Sequence, residues 1–217
     1  MNKTRIKICC ISSVEEASMA IKAGASAIGL VGHMPSGPGV ISDKLIKEIA
    51  ITVPKNIETF LLTSETEVSK IIEHHSKVKT STIQIVDKLS KGTHFQIKDA
   101  LPNVNIVQVM HILDENSIEE AVKMSNYVDS ILLDSGNPNL STKELGGTGR
   151  VHNWEISKKI VQEVNVPVIL AGGLNPNNAL EAIQKVNPYG LDLCSGVRTN
   201  GILDPNKLTA FFKAVNQ

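Results

Sequence analysis

No surplus of charge marks this chain. Acidic and basic residues number 22 each, so nothing steers the molecule toward nucleic acid or an anionic membrane surface, and the expected partner is small. Long apolar runs are also missing. Stretches such as Val166 to Ala171 fall far short of a membrane span, and the opening Met1-Asn-Lys-Thr-Arg-Ile6 lacks the apolar core of a signal peptide. A cytoplasmic location is therefore expected. Cysteine is scarce, with three residues of which two are adjacent as Cys9-Cys10. That makes neither a disulfide framework nor a spaced metal site, so reduced thiols are expected, one of them a candidate for reactivity. No composition shift or linker rich in Pro, Gly or Ser divides the 217 residues, and one domain over 1–217 is the economical reading.

What is present is repetition. Strand-like stretches run over Arg5 to Ile11, Ala27 to Val31, Ile57 to Leu62, Ser81 to Val86, Asn105 to His111, Val128 to Asp134, Val166 to Ala171 and Leu191 to Cys194. Amphipathic segments lie between them. Ser13-Val-Glu-Glu16 and Ser64-Glu-Thr-Glu67 read as capping boxes, while Asn175-Pro176 and Asp204-Pro205 put a cap before a first-turn proline. A period of about 25 residues matches strand, turn, helix, turn. Eight such units with nearly uninterrupted apolar strands predict an α/β fold, a parallel eight-stranded (β/α)8 TIM barrel, over a doubly wound sheet of fewer strands.

Two features place a ligand on this frame. Val166-Pro-Val-Ile-Leu-Ala-Gly-Gly173 and Leu193-Cys-Ser-Gly196 are strands that stop at glycine or serine ahead of an expected helix start. Backbone N–H groups would converge there, as a phosphate handle requires. Two connections, Gly32 to Ser42 and Ser135 to His152, are too long for tight turns, and the loops after the strands build the active face of such a barrel.

Polar residues at strand ends can reach a ligand from that face: Cys9, Asp87, His111, Asp134 and Cys194. On the first strand Arg5, Lys7 and Cys9 share one side, and Ile6, Ile8 and Cys10 the other. The apolar set should face the helices, leaving Cys9 toward the barrel mouth and Cys10 away from it. Asp134 ends the run Ser130-Ile-Leu-Leu133, where a carboxylate is costly to bury without a partner. His74-His75 reads as an exposed helix end.

Taken together these residues resemble the phosphoribosylanthranilate isomerase family. Lys7-Ile-Cys-Cys-Ile-Ser12 is similar to that family's Lys-Ile-Cys-Gly-Ile-Thr opening. Leu132-Leu-Asp-Ser135, Gly146-Gly-Thr-Gly-Arg150 with Trp154, Leu170-Ala-Gly-Gly-Leu-Asn-Pro176, Pro188-Tyr-Gly-Leu-Asp192 and Ser195-Gly-Val197 resemble its later motifs in the same order. The resemblance implies an Amadori rearrangement of N-(5-phosphoribosyl)anthranilate to the 1-deoxyribulose 5-phosphate product, a step of tryptophan biosynthesis, with no metal and no organic cofactor. It implies Asp134 as the general acid on the ribose ring oxygen and Cys9 as the general base at C2′. It also implies that backbone near Gly147, Gly149, Gly172, Gly173, Ser195 and Gly196 holds the phosphate. A monomer and a homodimer both suit such a barrel.

The chain departs from the family on the side that reads anthranilate. Gly39, in Ser36-Gly-Pro-Gly-Val40, stands where the family carries an arginine for the anthranilate carboxylate, and a bidentate arginine is not replaced by backbone alone. Val86 replaces a histidine, Arg198 a glutamate, and Cys10 and Ser12 replace glycine and threonine. The candidates for a substitute carboxylate contact are Arg198, Arg150 and His33, with Arg198 otherwise a solvated surface charge. The alternatives are a paralogous isomerase acting on another phosphosugar, or a barrel that binds a phosphometabolite without turning it over. Retention of both Cys9 and Asp134 argues against the last.

Overall fold

Each of the eight apolar stretches supplies one strand of a closed parallel barrel in the computed structural model, which describes residues 4–137, 139–140, 143–146 and 149–216. The strands are β1 (Arg5–Ile8), β2 (Ala27–Val31), β3 (Glu58–Thr63), β4 (Thr82–Ile85), β5 (Asn105–His111), β6 (Ser130–Asp134), β7 (Val168–Leu170) and β8 (Gly190–Leu193). They pair in chain order, and β8 closes on β1 with Arg5 opposite Gly190 and Ile8 opposite Leu193. Among the described residues eight α-helices follow them: α1 (Val14–Ala23), α2 (Asp43–Thr52), α3 (Val68–Val78), α4 (His94–Ala100), α5 (Asn116–Ser125), α6 (Trp154–Glu163), α7 (Ala179–Val186) and α8 (Pro205–Val215). A 3-10 turn, Ser195–Val197, and a hairpin of β9 (Arg198–Thr199) and β10 (Ile202–Leu203) lie between β8 and α8. No helix among the described residues is long and apolar enough to cross a membrane.

The strands read as continuous apolar runs because both of their faces are buried. Ile6, Ile8, Ile28, Leu30, Ile83 and Ile131 belong to the layer packed with the helices. Phe60, Leu62, Val107, Val109, Leu132 and Ile169 fill the barrel itself. Ile8, Ile28 and Leu61 are fully enclosed, and each such side chain contributes about 1.5–3 kcal/mol by leaving water.

Four local expectations come out differently. The first strand was expected to run to Ile11 but ends at Ile8, because Cys10 takes a left-handed backbone (φ 61°) that breaks the extended run. Ser13 caps α1 by accepting from the Glu16 amide at 3.1 Å, yet the Glu16 carboxylate does not close the box. It accepts instead from the Ser12 amide at 3.0 Å and hydroxyl at 3.1 Å. Ser64 does not cap α3, which starts after Glu67 with no side-chain cap bond. Pro176 lies in a turn ahead of α7, where the Asn175 amide donates to Asn178 Oδ1 at 2.8 Å and regular helix begins only at Ala179. Asp204 does cap α8, accepting from the Asn206 and Lys207 amides, with Pro205 in the first turn.

The histidine pair is not an exposed helix end. His75 is buried and its Nε2 donates to the Thr80 carbonyl at 2.8 Å, while His74 bridges Thr63 (3.0 Å) and Asp43 (3.1 Å) beside the loop that leaves β2. Packing of α3 against α2 and β3 turns both rings inward, a tertiary contact that helical periodicity alone does not reveal.

Candidate active site

At the C-terminal mouth of the barrel lies a cleft of about 720 Å³, open to solvent, and it collects the strand-end residues of β1, β6 and β8 together with the loops behind β2, β6 and β7. Cys9 and Asp134 line it from two sides. Cys9 follows β1 on the inward-facing parity. Below it, the Lys7 ammonium and the Asp192 carboxylate form an ion pair at 2.7 Å inside the barrel, both almost fully enclosed. Burial works against the charge of Lys7, but Asp192 and the neighbouring thiols outweigh it and push its pKa up to about 12. The thiol of Cys10 beside it, foremost, and the Lys7 ammonium pull the Cys9 thiol below its ordinary pKa against the opposing effect of burial. A thiol so placed is ionised more readily than a free cysteine, as a base or nucleophile requires.

Asp134 closes β6. Its Oδ1 accepts from the Ser135 amide at 2.6 Å. Burial nevertheless dominates and raises its pKa from 3.8 to about 6, with Asp192 adding to the rise and the Ser135 amide opposing it. The loop behind β6 passes directly over this carboxylate, since a Cβ on Gly146 would fall 2.7 Å from Asp134 Oδ2. Gln84 and Asp192 also line the cleft, and each keeps a buried oxygen with no hydrogen-bond partner, Gln84 Oε1 and Asp192 Oδ1. Sequence reasoning passed over both residues. The available signal was inward parity: Asp192 sits opposite Lys7 in the β1–β8 register, and Gln84 interrupts an apolar strand.

Gly149, Gly172, Gly173 and Ser195 line the opposite part of the cleft. Gly172 and Gly173 both have left-handed backbone (φ 84° and 63°), and a Cβ at either would run into Ser135 or Arg150. The backbone there is bare and within reach of the loop behind β6. Gly196 lies in the 3-10 turn behind β8, tight against Leu174. Gly147 lies outside the described residues. Of the other strand-end candidates, Cys194 lines the cleft. Asp87 pairs with Lys143, and the half-buried His111 lies against the Val86 carbonyl at 3.4 Å, where partial burial lowers its pKa.

The three candidates for a substitute carboxylate contact sit elsewhere. Arg198 is neither a cleft residue nor a solvated charge. Its guanidinium is buried beneath the turn that follows β1, bound to Glu16 by two contacts of 3.0 and 3.1 Å and to the carbonyls of Cys10 (2.6 Å), Gly201 (2.9 Å) and Cys9 (3.2 Å). Arg150 is exposed and paired with Glu144. His33 is exposed, with its carbonyl accepting from the Ser64 hydroxyl at 2.8 Å. Among the described residues that line the cleft, none is an arginine.

Cys10 explains the glycine at 39. The left-handed backbone at Cys10 turns its side chain to the mouth, not to the helices as strand alternation suggested, so that it lies against the loop behind β2. A Cβ on Gly39 would fall 2.5 Å from Cys10 Cβ and 3.0 Å from its Sγ, and Gly39 itself has φ 81°. The Cys10 side chain thus occupies space that a side chain at 39 would need. Gly39→Ala is expected to cost about 2–5 kcal/mol from overpacking and the left-handed backbone together. In a Cys10→Gly background only the backbone part, about 1–2 kcal/mol, should remain. A double-mutant cycle by urea denaturation reads the difference, and additive costs would show that the two sites are independent.

Comparison with known proteins agrees with this geometry. Residues 6–214 match the family model described as N-(5'phosphoribosyl)anthranilate (PRA) isomerase. The N-(5'-phosphoribosyl)anthranilate isomerase 2 of Methanosarcina mazei is 36% identical over 209 residues, covering 95% of this chain and 92% of that protein. The crystal structure of phosphoribosyl anthranilate isomerase from Thermotoga maritima superposes with a TM-score of 0.81 at 25% identity, over 98% of each chain. A structure of the isomerase in complex with reduced 1-(o-carboxyphenylamino)-1-deoxyribulose 5-phosphate shares the fold with a TM-score of 0.78 at 23% identity, again over 98% of each chain. The chain whose barrel brings Cys9 and Asp134 to one mouth belongs to the N-(5'-phosphoribosyl)anthranilate isomerase family.

Proposed function

We propose that this chain isomerises N-(5'-phosphoribosyl)anthranilate to 1-(2-carboxyphenylamino)-1-deoxyribulose 5-phosphate, with Asp134 as general acid and Cys9 as general base. The observation that carries the assignment of roles is the opposed tuning of the two groups in one cleft. The carboxyl is raised to about 6, so that a working fraction holds its proton near neutrality, and the thiol is lowered, so that a fraction is ionised. Asp134 donates its proton to the ribose ring oxygen as the ring opens to a Schiff base. The Cys9 thiolate then removes the C2′ proton. The resulting enamine ketonises to the product, and the two protons are redistributed without any external oxidant.

The remaining surfaces suit the two ends of such a substrate. Val31, Met34, Leu62, Val86 and Leu145 form an apolar wall that fits an aromatic ring. The bare backbone at Gly149, Gly172, Gly173 and Ser195, continued by Gly196, fits a phosphate, and binding there orients the sugar from a distance. The substrate is a small phosphorylated sugar, and the reduced thiols suit the cytoplasm. Complementation of a bacterial tryptophan auxotroph lacking this isomerase, with a fluorescence assay of the anthranilate substrate, tests the function. Growth and turnover are expected, and failure of both would point to another phosphosugar.

The pH profile tests the roles. The active form carries Asp134 protonated and Cys9 ionised, so the pH profile of kcat/KM should bend downward near pH 6, where Asp134 loses its proton. Asp134→Asn should abolish the break near 6. The same variant should gain stability at neutral pH, because holding Asp134 ionised in a site that raises its pKa from 3.8 to about 6 costs the fold about 3 kcal/mol. A break that survives in Asp134→Asn would assign it to another group.

A further inference from the structure

We propose that Cys10 and Cys194 form a reversible oxidation site at the cleft mouth, closing to a disulfide when a hydroperoxide reaches it. The two residues are 184 apart in sequence, yet their Sγ atoms lie 2.8 Å from each other across the seam where β8 meets β1. A disulfide needs about 2.05 Å, so a small approach of two loop side chains suffices. Both residues line the same cleft. Cys10 is buried, with its thiol donating to the Pro38 carbonyl at 3.6 Å, and Cys194 is partly exposed. The third thiol, Cys9, stands directly before Cys10 in the chain.

Exposure sets the order of events. The hydroperoxide oxidises the Cys194 thiol to a sulfenic acid and is itself reduced to the alcohol or water. The Cys10 sulfur then attacks the Cys194 sulfur, the S–O bond breaks, and the departing hydroxide leaves as water with the Cys10 proton. Two thiols lose two electrons and the peroxide gains them. Closing this bond removes the Cys10 thiol from Cys9 and from the Pro38 carbonyl, so it alters both the environment of the base and the anchor of the loop behind β2. Loss of activity on closing rests on the reading of Cys9 as the base; the bond itself does not.

The experiment treats the whole native protein with hydrogen peroxide, blocks remaining thiols and digests it with trypsin without reductant. Mass spectrometry should find residues 8–22 joined to residues 186–198 within one chain, and free thiols should drop from three to one. Dithiothreitol should reverse both. Activity should fall by about 10²-fold with the cross-link, the low end of what a general base contributes, and return with the reductant. Cys10→Gly, which suits the left-handed backbone, and Cys194→Ser should each abolish the cross-link, with circular dichroism verifying that they fold. A cross-link formed at full activity would support the site and count against Cys9 as base. Three thiols oxidised independently, a bond only between chains, or a cross-link that persists in Cys10→Gly through Cys9 would overturn the proposal.

Discussion

Cys9→Ser should lower turnover by about two to four orders of magnitude, the usual worth of a general base, while KM for the phosphorylated substrate changes little. A serine hydroxyl keeps the volume and a hydrogen-bonding group. What it loses is acidity, because its pKa lies far above that of a thiol which Cys10 and Lys7 already pull down. The bare backbone proposed to hold the phosphate belongs to other loops, so ground-state binding should survive. Steady-state kinetics separates the two parameters. Turnover equal to the parent would remove Cys9 from the mechanism, and a rise in KM with kcat intact would make it a binding residue.

Arg198→Ala should cost about 3–5 kcal/mol of stability, the cost of stranding a buried charge. Glu16 is enclosed at the start of α1, where it accepts from the Ser12 amide and from the Leu203 amide at 2.8 Å as well as from the guanidinium. Burial pushes its carboxyl up, but Arg198 and these amides outweigh the burial and its pKa falls below the usual value. A carboxyl depressed in the folded state stabilises the fold above its unfolded pKa of about 4.3, and that contribution fades as the pH falls below it. Urea denaturation at pH 7 and again at pH 3 should therefore show a smaller difference between Arg198→Ala and the parent in acid. A solvated charge would change stability by less than about 0.5 kcal/mol. A reader of the substrate carboxylate would instead leave stability intact and weaken binding of a carboxylate-bearing product analogue.

Removal of Arg198 should also loosen the turn that carries Cys9 and Cys10, since its guanidinium binds their carbonyls. This accounts physically for an arginine at the end of β8. It ties the last loop of the barrel to the first turn behind β1. The carboxylate partner expected across the mouth is then absent from the described lining, where the space beside Gly39 is taken by Cys10.

The barrel was legible in the amino-acid order because its causes are local. Eight apolar runs at a regular spacing, each buried on both faces, leave few other ways to hide that surface, and Cys9 and Asp134 stand out as polar ends of apolar strands. Local rules also indicated the end caps, correctly at Asp204 and only in part at Ser13, where the Glu16 side chain found a stronger partner from the far end of the chain. The pairings that set the chemistry were decided only by closure. Lys7 with Asp192, Glu16 with Arg198 and Cys10 with Cys194 are separated by 185, 182 and 184 residues. They meet because β8 returns to β1, and charge or thiol identity at one position carries no information about its partner until that seam forms. The same holds for Cys10 and Gly39. A left-handed residue behind β1 redirected one side chain from the helices to the mouth, and the loop behind β2 had room only for a glycine against it.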